Sequence, residues 1–100
     1  MKNWKTCECK IAALLGGERV PVSGRGRGHS PDIRHEDLSM EVKNRKRLPA
    51  WLEYAMKQAE ASAQEGQLPL VILYQDGQRY QEALVVMRLK RLVQQQGDEG

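Results

Sequence analysis

The alternating segment from Leu38 to Asn44 constrains the fold of this chain more than any other feature. Apolar and polar residues take turns along it, with Leu38, Met40 and Val42 set against Ser39, Glu41 and Lys43. Successive side chains of a strand point to opposite faces of a sheet, so this pattern predicts a β-strand with one buried and one polar face. The polar face then carries Glu41 and Lys43 together, because residues two apart share a face.

A second strand, predicted over residues 31–35, precedes it across a turn at Glu36-Asp37. A turn centred between those two residues pairs Ile33 with Met40, Arg34 with Ser39, and Asp32 with Glu41. Directly opposed carboxylates destabilise a sheet, and a divalent cation would remove the repulsion, since Mg²⁺ commonly binds one or two carboxylates and water. The alternative is an ordinary surface salt bridge from one of these acids to Lys43.

The other elements follow from hydrophobic periodicity and from Gly and Pro positions. They are a helix over 3–15 stopped by Gly16-Gly17, a strand over 18–22, a loop over 23–30, a helix from Pro49 to Glu65 closed by Gly66, a strand over 70–74 buried on both faces, a strand over 83–89 and a short helix to about Val93. The order α-β-β-β-α-β-β predicts an α/β (α+β) fold with a central mixed β-sheet flanked by helices. We expect one domain over residues 1–100, with 94–100 as a frayed tail.

Charge is distributed unevenly over the 100 residues, although the net charge is only +3. Residues 1–47 carry eleven basic and six acidic side chains, a net charge of +5, which predicts a cationic surface suited to a phosphate backbone. The alternative is a solvated basic surface without a partner. No apolar run approaches the roughly 20 residues of a membrane span. With Cys7 and Cys9 expected as reduced thiols, these features predict a cytoplasmic protein, in the host cytoplasm if a phage encodes it.

Glu8 lies in an unusual place on the first predicted helix. The apolar stripe of that helix consists of Trp4, Cys7, Ile11, Leu14 and Leu15. At 100° per residue Glu8 falls inside this stripe. An inward acid needs a buried cation, a hydrogen-bond network or a metal as its partner. The alternative is a glutamate at the edge of the stripe that reaches water.

Two short motifs give the chain a resemblance to a known family. P-D-I at 31–33 followed by M-E-V-K at 40–43 resembles the motif of the PD-(D/E)xK nuclease superfamily. With Glu8, the Gly/Ser/Arg loop before Asp32 and the R-K after E-V-K, residues 4–92 look like the small archaeal-type Holliday-junction resolvases. Stand-alone resolvase-like nucleases of phages and prophages are similar too. The resemblance implies a restriction-endonuclease-like fold and a role in DNA recombination and repair.

The resemblance also implies roles for individual residues. Asp32 and Glu41 would be metal ligands, Lys43 the catalytic lysine, and Glu8 a helix acid that contributes to the metal site and orients metal-bound water. Ser30, or alternatively Ser23, would be the loop serine near the scissile phosphate. Gln58 would match a glutamine near the site of related nucleases, or it is an ordinary solvated helix residue. The implied cofactor is Mg²⁺, with Mn²⁺ able to substitute.

The Gly/Arg loop predicts contacts with phosphates, because guanidinium groups bind phosphate oxygens in pairs. The candidate DNA-binding residues are Arg25, Arg27, His29, Arg45, Lys46 and Arg47. We therefore expect a Mg²⁺-dependent endonuclease that cuts branched DNA, such as a four-way junction. A homodimer would match the two-fold symmetry of the junction, with Trp51, Tyr54 and the last strand as candidate contact surfaces. The alternatives are a nuclease of the same fold acting on flaps, nicks or foreign duplex, and a non-catalytic nucleic-acid-binding module.

Overall fold

A computed structural model of the chain describes residues 4–20 and 32–97 as a mixed α and β protein. The described elements are α1 (Trp4–Leu15), β1 (Glu18–Arg19), β2 (Ile33–Arg34), β3 (Ser39–Met40), α2 (Ala50–Ser62), β4 (Val71–Leu73), a 3₁₀ turn (Tyr80–Glu82), β5 (Leu84–Val86) and α3 (Leu89–Gly97). Contacts divide the chain into two compact units, unit 1 (Met1–Lys46) and unit 2 (Arg47–Gly100), which we describe separately. The single domain over residues 1–100 stays a prediction. In the described ranges, no helix has the length and apolar character needed to span a bilayer.

Unit 1 is a three-stranded antiparallel sheet in the order β1-β2-β3, with α1 packed on β1 and β2. The predicted register of the β2–β3 hairpin is confirmed, since Ile33 pairs with Met40 and Arg34 with Ser39. Ile33 is fully buried, and Ala12 and Leu15 on α1 are the other buried apolar residues in the described part of the unit. The central strand therefore contributes the middle of a very small core.

The end of α1 confirms the predicted stop at the glycine pair. Gly16 has φ +77°, and the amide of Gly17 donates to the carbonyl of Ala12 at 2.9 Å. This is the Schellman arrangement, in which a residue with positive φ satisfies the last helical carbonyls. Gly17 is needed for a steric reason, because a Cβ there would lie 2.7 Å from the carbonyl oxygen of Arg34. The helix and the sheet thus meet where no side chain fits.

The buried face of α1 differs from the predicted stripe. Leu14 is 58% exposed, whereas Ala12 and Leu15 are buried together with Glu8. These three residues are spaced i, i+4 and i+7 and so occupy one face. Small Ala12 allows the helix to approach the sheet, and this rotates Leu14 outwards. The predicted inward position of Glu8 is confirmed.

Unit 2 places α2 against β4, with Met56 buried between them. Pro49 is the residue before the first helical turn, as its fixed φ favours. The helix ends at Ser62 instead of Glu65, because Ala63 is already extended with ψ 138°. Gly66, predicted as the closing residue, belongs to a separate turn.

That turn occurs twice, on either side of β4, in the sequences Q-E-G-Q (64–67) and Q-D-G-Q (75–78). In each, the carbonyl of the first Gln accepts from the amide of the last, at 2.9 and 3.0 Å. The side chain of the last Gln accepts from the amide of the first in both turns. Gly66 and Gly77 have φ +86° and +89°, the third-position conformation of a type II turn.

Three predictions differ from the structure: one concerns the sheets of the whole chain, and two concern elements of unit 2. The described strands form two antiparallel sheets, β1-β2-β3 and β4-β5, where the element order predicts one central mixed sheet. β4 pairs with its neighbour in sequence, which needs only a short loop to close. β4 has one partner strand and one helix packed on it. Ile72 is therefore 55% exposed, and β4 is not buried on both faces. The C-terminal helix continues to Gly97, beyond the predicted end at Val93 and into the segment expected to fray.

Candidate active site

Asp32 is held by both of its neighbouring strands. Its carbonyl accepts from the amide of Val20 and its amide donates to the carbonyl of Met40, both at 2.9 Å. Its carboxylate oxygen Oδ2 accepts from the amide of Val42 at 2.6 Å. A regular antiparallel residue exchanges both backbone bonds with one partner. Asp32 instead joins β1, β2 and the segment after β3, and so its half-buried carboxylate has a fixed position.

Glu41 follows directly after β3 and is not a ladder partner of Asp32. The last β2–β3 pair is Ile33 with Met40, and the amide bonded by Asp32 belongs to the peptide that joins Glu41 to Val42. The predicted opposition of Asp32 and Glu41 is thus replaced by a contact between a carboxylate and the peptide after Glu41. Because a side-chain acceptor takes an amide that a ladder would use, β3 ends at Met40 and not at Asn44.

Exposure still alternates beyond the end of β3, as the sequence pattern predicts. Val42 and Asn44 are half-buried, whereas Glu41, Lys43 and Arg45 are exposed. Glu41 and Lys43 are therefore accessible to solvent on the side of the chain away from the small core. Their ionised groups are available to a metal, a phosphate or another solvated partner.

Glu8 has a cation as its partner. Its Oε1 accepts from Nε of Arg19 at 2.8 Å, and the two side chains are only 8% and 17% exposed. Of the three partners that an inward acid could have, the structure shows a buried guanidinium. The pair links α1 to β1, and the next residue along β1, Val20, bonds Asp32.

A cavity of about 350 Å³ in unit 1 brings three of the predicted residues together, Glu8, Lys43 and Arg45. Its lining residues are Glu8, Val42, Lys43, Asn44 and Arg45. Glu8 is the acidic residue of this lining, and Lys43 and Arg45 are its basic residues. Asp32 borders this region through its bond to Val42. The structure therefore gathers an acid, a lysine and an arginine around one space large enough for a phosphate.

The donor set fits a hard divalent cation at Asp32 and Glu41 better than at Glu8. A carboxylate has about four lone-pair sites, so the single amide on Asp32 leaves room for a metal. Mg²⁺ needs only one or two carboxylates when water completes its octahedron. Glu8 fits poorly as a direct ligand, because the guanidinium of Arg19 already neutralises it. Across residues 4–20 and 32–97, no three His, Cys, Asp or Glu side chains are grouped as a metal site.

Several candidate residues fall elsewhere. Ser23, Ser30, Arg25, Arg27 and His29 lie outside the described residues. Lys46 and Arg47 are exposed, the first ending unit 1 and the second beginning unit 2. Gln58 is an exposed residue of α2, as expected of a solvated helix position. Cys7 and Cys9 are both free thiols.

Arg19 is the residue that sequence reasoning missed. It counted as one of many basic residues, whereas the structure buries it against Glu8. One signal was present: Glu8 required a buried partner, and Arg19 is the first basic residue after the helix stop. Those two facts together made Arg19 a candidate partner of Glu8.

Unit 2 contains a second charged cluster, centred on Arg88. Its Nε donates to Glu60 at 2.9 Å and its Nη2 to Glu53 at 3.3 Å. The hydrogen bond from Arg88 has the largest effect on the pKa of Glu60 and lowers it. Burial opposes this lowering, and the positive charge of Arg88 adds to it. The same bond raises the pKa of Arg88. No predicted catalytic residue belongs to this cluster.

The chain was compared with known proteins by sequence family and by structure. No family model matches it, and no curated protein or solved structure matches it either. Its function must therefore be argued from the residues and the geometry described above.

Proposed function

We propose that this chain is a Mg²⁺-dependent, structure-specific DNA endonuclease that hydrolyses phosphodiester bonds of branched DNA, with a four-way junction as its substrate. The observation that carries the proposal is the contact between the carboxylate of Asp32 and the peptide after Glu41. It brings a carboxylate of fixed position next to the segment that carries Glu41 and Lys43, which supports a metal site formed by the D…E-x-K residues.

Asp32 and Glu41 would hold the metal. Asp32 contributes a carboxylate that accepts one hydrogen bond, on a backbone held by two more, and Glu41 contributes an exposed carboxylate. A Mg²⁺ ion held there supplies Lewis acidity toward a phosphate oxygen and lowers the pKa of bound water. The fixed position of Asp32 favours this use, because a preorganised ligand loses little freedom on binding.

Lys43 and Arg45 are the groups that would meet the substrate phosphate. Both line the cavity that Glu8 also borders. Lys43 is placed to stabilise the negative charge that develops on the phosphate during attack, an effect worth about 100-fold to 1,000-fold in rate for one donor. Arg45 can bind phosphate oxygens in pairs. Glu8 would accept a hydrogen bond from water in the cavity and so orient it for attack.

Branched DNA is the proposed substrate because the chain resembles the small Holliday-junction resolvases, and its exposed basic residues supply the backbone contacts that such a substrate needs. Arg45, Lys46 and Arg47 are consecutive, exposed and basic. Contacts to phosphates fix position and orientation without reading bases. A restriction-endonuclease-like arrangement and a two-fold homodimer complete the proposal, since paired cuts in a junction need two active sites related by symmetry.

The test is cleavage of labelled four-way junction, flap, nicked duplex, duplex and single strand with Mg²⁺. We expect paired, symmetric cuts near the branch point of the junction. Asp32→Asn and Lys43→Ala should each reduce the cleavage rate at least about 100-fold. Junction affinity measured without Mg²⁺ should change little, because the basic residues remain.

Asp37→Asn is the matched control, since Asp37 is an exposed aspartate of the same hairpin. It should cleave at the wild-type rate. Full cleavage by purified Asp32→Asn would refute the metal site. Junction binding by the wild-type protein without cleavage of any substrate would identify a nucleic-acid-binding module, and equal cutting of plain duplex would refute structure specificity.

A further inference from the structure

The pair of Glu8 and Arg19 has a geometry that a surface salt bridge lacks. Its 2.8 Å bond lies between side chains that are almost fully removed from water. A second ion pair in the described part of unit 1, Arg34 with Glu18, spans 3.8 Å between side chains that are about two-thirds or more exposed. The two pairs use the same residue types, so burial and distance distinguish them.

Glu8 also borders the cavity lined by Lys43 and Arg45. Its carboxylate would be free to turn toward either of those cations if Arg19 did not hold one of its oxygens. Nε of Arg19 holds Oε1, and this bond limits the rotation of the Glu8 carboxylate at the cavity that Glu8 lines. A fixed acceptor can orient a water molecule, whereas a mobile one cannot.

From this geometry we infer that Arg19 is a positioning residue for hydrolysis, which holds the Glu8 carboxylate at the wall of the cavity shared with Lys43. The inference rests on the proposed nuclease function and adds to it a residue outside the D…E-x-K pattern. Arg19 acts through Glu8 and does not itself touch the substrate. The chain at the end of β1 suits this role, because Val20, the residue after the strand, donates to the carbonyl of Asp32. Residues 19 and 20 therefore contact both acids.

The test compares Arg19→Lys, Arg19→Gln, Glu8→Gln and the double variant Glu8→Gln/Arg19→Gln, with Arg34→Gln as the matched control. Single-turnover cleavage of the four-way junction is measured at saturating protein, junction affinity is measured without Mg²⁺, and circular dichroism reports folding. Arg19→Lys retains the positive charge but not the Nε donor. We expect it to fold, bind the junction as the wild type does and cleave roughly 10-fold to 100-fold more slowly.

The double variant tests whether Arg19 acts through Glu8. It should cleave no more slowly than Glu8→Gln alone, although Arg19→Gln is slow in the wild-type background. It also remains informative if Arg19→Gln fails to fold, because two amides can hydrogen-bond each other without a buried charge. Arg34→Gln should keep the wild-type rate.

Two results would overturn the inference. One is wild-type cleavage by Arg19→Lys or by Glu8→Gln. The other is a further loss of rate when Arg19→Gln is added to Glu8→Gln, since Arg19 would then contact the substrate directly. Both presuppose that the wild-type protein cleaves the junction, so failure of the proposed function is recognised separately by an inactive wild-type protein.

Discussion

The two compact units of this chain place their ion pairs at different depths. In unit 1, Glu8 and Arg19 form one bond with the carboxylate 8% exposed. In unit 2, Arg88 contacts two carboxylates, but its own side chain is 35% exposed. Arg88 in unit 2 therefore has more ionic contacts, whereas the pair of Glu8 and Arg19 in unit 1 is less exposed to solvent. A buried pair loses more than an exposed one when one partner is removed, because the remaining charge stays buried, whereas an exposed charge returns to water.

The largest expected effect comes from removing one member of the buried pair. Arg19→Met leaves the Glu8 carboxylate buried without its guanidinium, and breaking a buried pair in this way costs about 3–5 kcal/mol. Thermal or urea unfolding of the full chain measures it. Arg34→Met, on the exposed pair of the same sheet, should cost about 0–1 kcal/mol. Equal losses from the two variants would contradict the comparison.

A glycine in each unit extends the comparison to packing. A Cβ at Gly17 would lie 2.7 Å from the carbonyl oxygen of Arg34, whereas a Cβ at Gly77 meets open space. Gly17→Ala should cost about 1–3 kcal/mol in the free energy of unfolding, because the sheet must shift.

Substitution by asparagine distinguishes a steric clash, as at Gly17, from a positive φ, as at Gly77. Gly77→Asn should be tolerated, since only the backbone is unusual there and asparagine accepts positive φ. Gly17→Asn should be at least as harmful as Gly17→Ala. A harmless Gly17→Asn in urea unfolding would show that the sheet yields at this contact.

The smallest expected effect belongs to the exposed cluster of unit 2. The bond from Arg88 lowers the pKa of Glu60, so folding favours the ionised carboxyl. This stabilisation is present above the unfolded-state pKa and is lost as the pH falls through the folded-state pKa. Arg88→Met removes its cause. The gap in melting temperature between the wild type and the variant should therefore narrow between about pH 7 and about pH 3.

Arg79→Met serves as the control for that titration, because Arg79 is an exposed arginine of the same unit. Its gap from the wild type should not change with pH. A constant gap for Arg88→Met would mean that the contacts with Glu60 and Glu53 contribute nothing to the acid response.

Patterns local to one element were predictable from the sequence. The β2–β3 register followed from the alternation after Leu38, and the inward position of Glu8 followed from the helical period. What failed depends on interactions between distant residues. The shortening of β3 needs the carboxylate of Asp32 to take the amide of Val42, and the rotation of α1 needs the close approach at Gly17. Neither the shortening of β3 nor the rotation of α1 can be read from the spacing of apolar residues in the sequence.

The candidate site was predictable to a similar extent. Asp32, Glu41 and Lys43 form a short motif that can be recognised in one dimension. The partner of Glu8 could not be recognised in that way, because Arg19 lies eleven residues away on another element. A buried charge indicates that a partner exists, but the fold decides which cation reaches it.

The hairpin of β4 and β5 has a consequence for the behaviour of the protein in concentrated solution. Its two strands are the whole of that sheet among the described residues, and Ile72, Leu84 and Val85 are exposed on them. Strand edges with apolar side chains are templates for intermolecular β-pairing and aggregation. Pro69 and Asp76 flank the apolar run and act as gatekeepers against it. Solubility therefore depends on a part of the chain that is separate from the proposed chemistry, and polar substitutions there can improve handling without touching the candidate active site.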